Sequence, residues 1–260
     1  MKRSIILAFA GVLLFAVAGS AGDAAAFDFE REGPSSPCLL GSGRDAVAAD
    51  KEAGFKKENR GGVETHVLAF SNGARSGAVI RCPAGHGDAI FGPLGQLTLS
   101  LAFRSDPVVA TPCYFQRING SSTRPGFLRF NSQNNSGDEL ERKGTFRFTV
   151  TDADGKNHTA ASTAPWEARH GEWHRVAVVF DKGNVRFYLD GELWGNPVAI
   201  PLEVIPESEA RPESIRAGFG FSGAIDDLVI APGRALSGRE IKQLHEEGPA
   251  APEVRAFLKR

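Results

Sequence analysis

The segment 171–247 constrains the fold of this chain most strongly. Two apolar stretches, 173–180 and 185–189, are separated by four residues, Asp-Lys-Gly-Asn. Asp190 and Gly191 follow, a pair that is typical of tight hairpins because glycine adopts positive φ without steric cost. A further apolar stretch and a short helical pattern complete the segment. This order predicts an antiparallel β-meander that ends in a helix.

Alternating apolar and polar residues recur along the rest of the chain. In the segment 94–104, Leu97, Leu99 and Leu101 share one face, which is the pattern of a half-buried strand. Similar patterns predict strands at 26–30, 65–70, 77–81, 113–118, 126–130, 146–150 and 157–162. With 30 Gly, 15 Pro and a hydrophobic content of 42%, the composition favours a turn-rich, all-β chain with enough apolar residues for a core.

A single mature helix is predicted near residue 237. Ser237 and Glu240 have the spacing of a capping box, in which two side chains satisfy free backbone amides at a helix start. Ile241 and Leu244 lie on one helical face, and Gly248 followed by proline ends the pattern. We therefore expect one short C-terminal helix that packs through this apolar face.

The first 22 residues have the pattern of an export signal. Lys2 and Arg3 precede the apolar run 5–18, and small residues follow it. The run is short for a membrane-spanning helix. We therefore expect cleavage near residue 22, a protein that is secreted, periplasmic or on the cell surface, and no membrane span after removal of the signal. An uncleaved anchor is the alternative.

The rest of the chain is predicted to form one domain over residues 23–248. No segment has the Pro/Gly/Ser composition of a linker, and no repeat of a solenoid or propeller is present. The polar, Gly-rich segment 38–62 is expected to be a long loop. Residues 249–260 are expected to be a poorly ordered tail, which could pack only by docking on the domain.

Charge and cysteine content exclude several classes of protein. Lys plus Arg number 30 and Asp plus Glu 31, a balance that argues against a nucleic-acid partner or a polybasic membrane binder. The three cysteines are Cys38, Cys82 and Cys113. Export favours one disulfide, and the odd count leaves one thiol over. The spacing selects no pair and has no zinc-binding pattern.

The element order resembles the LamG-like, concanavalin A-like jelly-roll family. The resemblance rests on Gly171-Glu172-Trp173-His174-Arg175-Val176, the hairpin 185–191, the segment 221–230 and the closing segment 234–241. Blocks further upstream extend it over residues 26–248. It implies an all-β fold of two antiparallel sheets in a jelly-roll sandwich, with the first and last strands as neighbours. Alternating strands need such a second sheet to cover their apolar faces.

The resemblance also implies a class of function. Members are mostly carbohydrate-binding, adhesion or accessory modules of secreted proteins, and many bind calcium. We expect a non-catalytic module that recognises a glycan or an extracellular protein. A polysaccharide hydrolase or lyase and a structural adhesion protein without a sugar site are the alternatives. The chain departs from the family pattern in two places: the segment 38–62 is long and basic in patches, and Ala102 and Phe103 stand where the family has a tryptophan.

An acidic pair, Asp226 and Asp227, is the candidate metal site. Strict alternation places Asp226 with Leu228 on one face and Asp227 with the residues on the other, so one carboxylate should lie on an apolar face. An unpaired charge there is costly. It must bind backbone amides, pair with a base or bind a hard cation such as Ca²⁺. Asp28 and Glu30 on the first strand would then contribute ligands.

Four residues are candidate ligand contacts: Trp166, Tyr188, Trp194 and Arg186. Aromatic rings with a polar edge stack on pyranose faces and donate hydrogen bonds. Tyr188 and Arg186 share the face opposite the apolar residues of their strand, so we expect both to point toward a groove or solvent. Packing in the core is the alternative for each aromatic residue.

No catalytic residue is predicted. Glycosidases on related folds place acid and nucleophile carboxylates close together on one strand, as in Glu-x-Asp-x-x-Glu, and the chain has no such run. His158, His170 and His174 lack the context of a metal motif or a catalytic triad. The sequence Asp152-x-Asp154-Gly lacks the later ligands of a calcium loop and predicts a hairpin turn.

Overall fold

The computed structural model describes residues 24–29, 35–37, 45–48, 53–60, 62–74, 77–81, 89–106, 113–118, 120–134, 143–167, 171–208 and 215–259. Their strands are β1 (Ala25–Phe27), β2 (Ser35–Pro37), β3 (Asp45–Ala48), β4 (Ala53–Arg60), β5 (Val63–Ala74), β6 (Ala78–Arg81), β7 (Gln96–Ser105), β8 (Cys113–Arg117), β9 (Leu128–Asn134), β10 (Lys143–Thr151), β11 (Asn157–Ala161), β12 (Trp166–Glu167), β13 (Trp173–Asp181), β14 (Asn184–Leu189), β15 (Glu192–Leu193), β16 (Val198–Ala199), β17 (Ile215–Ala217) and β18 (Phe221–Pro232). The helices are α1 (Gly238–Glu247) and α2 (Pro252–Leu258). The predicted signal, Glu30, Cys38 and Cys82 lie outside these residues.

The strands form two antiparallel sheets, which we name sheet A and sheet B. Sheet A has the order β15-β14-β13-β7-β18-β5-β4, with β1 beside β18 and β16 beside β14. Sheet B has the order β11-β10-β9-β8-β17-β6-β3-β2, with β12 beside β10. Because β1 pairs with β18, the first and last strands are neighbours, as predicted.

The two sheets pack face to face through alternate residues of their strands. Leu99 on β7 pairs with Val178 on β13, and both are buried in the main core. Sheet B contributes aromatic rings, and Phe148 lies 6.1 Å between ring centroids from Phe180 of sheet A. Burying these side chains between the sheets removes apolar area from water, which is the main driving force for this architecture. The predicted all-β sandwich is confirmed.

Both helices lie on the outer face of sheet A. Ser237 caps α1, and the reciprocal bonds between Ser237 and Glu240 form the predicted capping box. The sequence predicts one helix and a tail that is poorly ordered unless it docks on the domain, and the structure has a second, docked helix in this tail. Residues 252–258 form α2, whose Val254 and Phe257 are buried with α1 against sheet A. Docking of this apolar face stabilises a helix that is too short to persist alone.

The expected long loop at 38–62 contains strands instead. β3 pairs with β6, and β4 pairs with β5 over its full length of eight residues. β4 is the edge strand of sheet A, and its outward positions carry charged residues such as Lys56 and Glu58. Charged residues are typical of edge strands because they oppose pairing with another chain. This polarity concealed the strand period in the sequence.

In the part of the chain that the structure covers, no helix is both long and apolar enough to cross a membrane.

Candidate functional site

Strand β18 contains a β-bulge that changes which residues face the core. Its register with β7 shifts between Asp226 and Val229, and Asp227 has a φ of 52°. Ile225 and Leu228 both belong to the main core, whereas Val229 packs under the helices. The strict alternation predicted from the sequence is therefore wrong across the bulge, because a bulge inserts an unpaired residue. Asp226 is nevertheless buried, as expected of one member of the pair.

Four residues form an acid–arginine cluster: Arg60, Arg175, Asp226 and Asp227. Arg60 Nη1 donates to Asp226 Oδ2 and Asp227 Oδ2, each at 2.9 Å. The buried Arg175 donates from Nη2 to Asp227 Oδ2, and from Nη1 to the Asp227 carbonyl at 3.4 Å. The Asp227 N–H donates to Asp226 Oδ1 at 2.8 Å. Two guanidinium groups thus face two carboxylates.

Burial controls protonation in this cluster. Desolvation and the neighbouring charge of Asp227 raise the pKa of Asp226 to about 8, while Arg60 opposes the rise. Desolvation also lowers the pKa of the Arg175 guanidinium, against the pull of Asp227. The ionised form of Asp226 is therefore unfavourable in the folded protein, and protonation of its carboxylate reduces this cost.

A buried carboxylate can bind backbone amides, pair with a base or bind a cation. Asp226 accepts hydrogen bonds from the Arg60 guanidinium and from the Asp227 N–H. Asp28 is half-buried at the end of β1, and Glu30 lies outside the described residues. Among the residues with described positions, no three His, Cys, Asp or Glu side chains come together as a metal site would require. Calcium binding by Asp226, Asp28 and Glu30 stays a prediction.

The Asp152 side chain closes a hairpin turn, as its sequence predicted. Its Oδ1 accepts hydrogen bonds from the backbone N–H groups of Asp154 at 3.0 Å and Lys156 at 2.8 Å. Its Oδ2 lies 2.7 Å from His158 Nε2. These bonds account for the acidic residue in the turn.

Two of the four candidate ligand contacts are buried. Trp166 is 4% exposed and lies between the sheets, 5.4 Å from the Phe146 ring and 5.0 Å from the His174 ring. Tyr188 is also 4% exposed, in the cluster beneath α1 and α2. Tyr188 lies on the predicted face of its strand, but the prediction that it reaches a groove or solvent is wrong, because α1 and α2 cover this part of the face. Neither ring offers an open face to a sugar.

Trp194 and Arg186 remain partly exposed to solvent. Both are half-buried, and Trp194 packs against the main core at the edge of sheet A. The Nε1 of Trp194 and the Nε of Arg186 are buried without a hydrogen-bond partner. Arg186 lies on the helix side of β14 and Trp194 beyond β15, so no single groove joins the four candidates. Ligand binding by Trp194 and Arg186 stays a prediction.

The outer face of sheet B carries a set of polar residues that the sequence analysis did not single out. Thr159 pairs with Thr149, and Thr149 pairs with Arg129. Gln116 in turn pairs with both Arg129 and Arg216. Directly paired residues share a sheet face. We name this set the polar row: Thr159, Thr149, Arg129, Gln116 and Arg216, from β11 to β17.

The polar row faces away from the core. Its neighbours in sequence, Phe130, Phe148 and Phe115, point inward and are fully buried. The described helices lie on sheet A and leave this face of sheet B uncovered. Thr149 Oγ1 and Thr159 Oγ1 are 2.9 Å apart, and both residues reach solvent.

This face has two further features, a cation–π contact and a buried acceptor without a partner. The Arg129 guanidinium lies 5.2 Å from the centroid of the Phe127 ring, within the range of a cation–π interaction. Gln116 is only 1% exposed, and its Oε1 has no hydrogen-bond partner. A buried acceptor without a partner is costly, and it marks a point where a ligand donor would be stabilising. Hydroxyl, amide and guanidinium groups together suit a ligand that is rich in hydroxyls.

The polar row could not be found by motif because its residues come from five strands spread over about two fifths of the chain. The only signal in the sequence is local: the polar residues alternate with the phenylalanines of β9 and β10. Register between strands, which the sequence does not give, is needed to align them.

Several solved structures have a similar fold at low sequence identity. The binding domain of Botulinum Neurotoxin serotype G has a TM-score of 0.57 and 14% identity, over 85% of this chain and 50% of that chain. Domain 4 of AbnA, an extracellular arabinanase from Geobacillus stearothermophilus, in complex with arabinotriose, has a TM-score of 0.55 and 16% identity, over 85% of this chain and 97% of that chain. The binding domain of Botulinum neurotoxin DC, in complex with rat synaptotagmin II, has a TM-score of 0.57 and 10% identity, over 88% of this chain and 52% of that chain.

These similarities establish a shared fold. The chain spans about half the length of the neurotoxin binding domains and almost all of the arabinanase domain. No curated protein matches the chain. The family model Laminin_G_3, described as the concanavalin A-like lectin/glucanases superfamily, matches residues 84–242. Because this match covers more than half of the 260 residues, the chain belongs to that superfamily.

Proposed function

We propose that this protein is an exported, non-catalytic carbohydrate-binding module whose glycan site is the outer face of sheet B. The polar row carries this proposal. It places hydroxyl, amide and guanidinium groups in register across five strands on a face that the described helices leave open. Sugar hydroxyls both donate and accept hydrogen bonds, and this row supplies partners of both kinds.

A flat row of polar groups on a rigid sheet suits an extended ligand. Strands hold side chains at fixed intervals of about 4.8 Å across a sheet, so the row is preorganised and binding orders few groups. The Oε1 of Gln116 is buried without a partner, so it would accept a hydrogen bond from a ligand hydroxyl once binding exposes it. The outer face of sheet A is a weaker candidate because α1 and α2 cover its centre.

The face is poorly suited to hydrolysis. Glycosidases need a general acid and a second carboxylate on either side of the scissile bond. The strands β8, β9, β10, β11 and β17 contain neither Asp nor Glu. A ligand on these strands would therefore contact no carboxylate that they supply, which supports binding without chemistry.

The arabinanase domain supports a sugar as the ligand, since it is bound to arabinotriose and matches this chain over nearly its full length. The neurotoxin DC domain is in complex with a protein, but this chain spans only about half of it. An extracellular protein ligand is therefore the competing outcome of the experiment below.

The test is retention on a panel of immobilised neutral and acidic polysaccharides, followed by calorimetry on any ligand found. Thr149→Val with Thr159→Val removes two outward hydroxyls and keeps side-chain shape. We expect roughly tenfold weaker binding, because each lost hydrogen bond is worth about 0.5–1.5 kcal/mol. Thr123→Val is the control, since this exposed hydroxyl lies in the loop before β9 and bonds only within that loop.

Two results would contradict the proposal. One is that no polysaccharide of the panel is retained. The other is that a retained ligand binds the double variant and the wild type equally, which would move the site away from this face. Repeating the panel with Ca²⁺ and with EDTA shows whether a cation takes part.

A further inference from the structure

We infer that the ligand of the polar row is an anionic polysaccharide, whose carboxylate or sulfate groups are bound by Arg129 and Arg147. This inference rests on the proposed function and adds the chemical class of the glycan. Three observations carry it: the charge composition of the strands, the pairing of the arginines and their spacing.

Acidic residues are absent from five adjacent strands of sheet B. The whole chain has 30 basic residues and 31 Asp or Glu, yet the five adjacent strands from β11 to β17 in sheet B contain no Asp or Glu. On the same strands Arg129, Arg147 and Arg216 occupy outward positions. A cationic face on a chain with no net excess of basic residues indicates a local requirement for positive charge.

Three arginines of sheet A have carboxylate partners. On the outer face of sheet A, Arg104 lies 2.8 Å from Glu58 and 2.9 Å from Asp106. Arg60 and Arg175 pair with the Asp226–Asp227 carboxylates in the acid–arginine cluster.

Arg129 and Arg147 lack such carboxylate partners in the described parts of the chain. Arg147 reaches only Thr145 Oγ1, at 3.5 Å, and Arg129 contacts the Phe127 ring. The Arg129 Nε has no hydrogen-bond partner. These two guanidinium groups are therefore available to a bound anion.

The spacing of the two arginines suits repeated charges along a chain. Arg147 pairs with Asn131, and Arg129 lies two residues from Asn131 on the same strand. This diagonal relationship places the two residues about 7–8 Å apart. A guanidinium group binds a carboxylate or sulfate through two parallel hydrogen bonds, which a hydroxyl cannot match. Two such groups would fix two acidic substituents of one polysaccharide chain.

The neighbouring groups favour a sugar over other polyanions. Gln116 follows Arg129 in the polar row and brings a buried, unpartnered amide oxygen that needs a donor such as a sugar hydroxyl. Single-stranded nucleic acid would need exposed aromatic rings for stacking. Phe127, the ring beneath Arg129, is only 2% exposed and offers no such platform.

The experiment measures binding to four polymers by calorimetry: a polyuronate, a sulfated dextran, neutral dextran and polyglutamate. The proteins are the wild type, Arg129→Gln with Arg147→Gln, and the control Arg239→Gln, a charge change at an exposed position of α1. We expect the polyuronate or the sulfated dextran to bind at least roughly tenfold more tightly than neutral dextran and polyglutamate. Comparing the polyuronate with the sulfated dextran shows whether carboxylate or sulfate groups are preferred. The double variant should lose roughly tenfold or more of that affinity.

Other results separate the two proposals. Binding of neutral dextran alone, weakened by the Thr149 and Thr159 changes, would overturn the anionic class and leave the glycan-binding face intact. Equal binding of polyglutamate and the acidic glycans would overturn sugar recognition on this face. Affinity for acidic glycans that the double variant retains would overturn the role of Arg129 and Arg147.

Discussion

The guanidinium of Arg60 lies 2.9 Å from the buried carboxylate of Asp226, although 166 residues separate the two in sequence. The contact joins the edge strand β4 to the central strand β18 across β5. It places a compensating charge beside a carboxylate that has left water. Removing Arg60 would leave the Asp226 carboxylate without this charge, whereas removing Asp226 would leave Arg60 bonded to Asp227. The contact is therefore a determinant of pH dependence.

Stability should fall as the pH rises through the range in which Asp226 ionises. Its pKa is about 8 in the folded protein, against 3.8 for an ordinary Asp. Between these values the folded state binds a proton that the unfolded state lacks, so the contribution of Asp226 to stability is fully present below about pH 4 and is lost as the pH approaches 8. Asp226→Asn should remove that decline, seen as a smaller drop in Tm from pH 5 to pH 8.

Asp154→Asn is the matched control for this measurement. Asp154 is exposed at the turn between β10 and β11, so its substitution should leave the pH dependence of Tm as in the wild type. An Asp226→Asn curve parallel to the wild-type curve would show that another group controls this range.

Calcium at Asp226 would compete with Arg60. Because two guanidinium groups already face the two carboxylates, we expect added Ca²⁺ to leave the wild-type Tm unchanged. Arg60→Ala frees the Asp226 carboxylate, while Arg175 still bonds Asp227, and this variant should gain a calcium-dependent rise in Tm. A rise in the wild type that Asp226→Ala abolishes would instead support the cation site with Asp28 and Glu30.

The sandwich could be predicted because its main signals are local. The β13–β14 hairpin follows from Asp190-Gly191, both at positive φ, and the start of α1 follows from its capping box. The strand β4 was missed because the charges of an edge strand obscure the alternation. Helix α2 was missed because its stability comes from docking on sheet A, a tertiary contact without a local signal.

The candidate sites were less predictable because they depend on register. The bulge after Asp226 changes the direction of the following side chains, and no residue type in the sequence indicates that a bulge occurs there. Tyr188 has the outward orientation that alternation predicts, but the helices then cover it. The polar row becomes visible only when β8, β9, β10, β11 and β17 are aligned.

Arg117 should be a major determinant of stability. It is fully buried, and its guanidinium donates to the carbonyls of Gly126 at 2.7 Å, Pro206 at 3.0 Å and Ile90. Burial lowers its pKa to about 9, so it remains charged at neutral pH. Arg117→Met would remove the guanidinium donor from the carbonyls of Gly126, Ile90 and Pro206. Because an unsatisfied buried acceptor costs about 1–3 kcal/mol, we expect a loss of about 3 kcal/mol.

Urea unfolding provides the measurement for Arg117. Arg117→Lys, which can still donate to one or two of the carbonyls, should be intermediate between the wild type and Arg117→Met. Equal stabilities for the wild type and Arg117→Met would show that these carbonyls find other donors.

The tryptophans should separate into core and surface residues. Trp166→Ala should reduce the free energy of unfolding by about 3–5 kcal/mol, because it opens a cavity among Phe103, Phe146 and His174. Trp194→Ala should cost less, since this side chain is only half-buried. Urea titration of the two variants makes the comparison. A larger loss for Trp194 would contradict the assignment of Trp166 to the core.

The Cys113 thiol is the least suited of the three to form a disulfide. It is buried, and its Sγ lies 3.5 Å from the Phe115 carbonyl and 3.8 Å from that of Phe130. Desolvation raises its pKa to about 12, so the reactive thiolate is scarce. In the structure Cys113 is a free cysteine.

The remaining two cysteines follow strands that end at the same place. Pro37 pairs with Asp45, and Asp45 pairs with Arg81, so β2 and β6 run parallel on either side of β3. In sequence, Cys38 follows Pro37 and Cys82 follows Arg81. Two strand spacings, about 10 Å, separate Pro37 from Arg81, whereas Cα atoms in a disulfide are about 5.5–6 Å apart. The bond therefore requires the two segments to converge beyond the strands.

Because the sequence predicts an export signal, we predict a Cys38–Cys82 disulfide, with Cys113 reduced. Alkylation of the native protein, digestion without reductant and mass spectrometry should give one crosslinked peptide that contains Cys38 and Cys82. Cys113 should be alkylated only after denaturation, because its thiol is buried. Cys82→Ser should abolish the crosslink and lower Tm, whereas Cys113→Ala should retain it. A crosslink that includes Cys113 would contradict both the pairing and the burial argument.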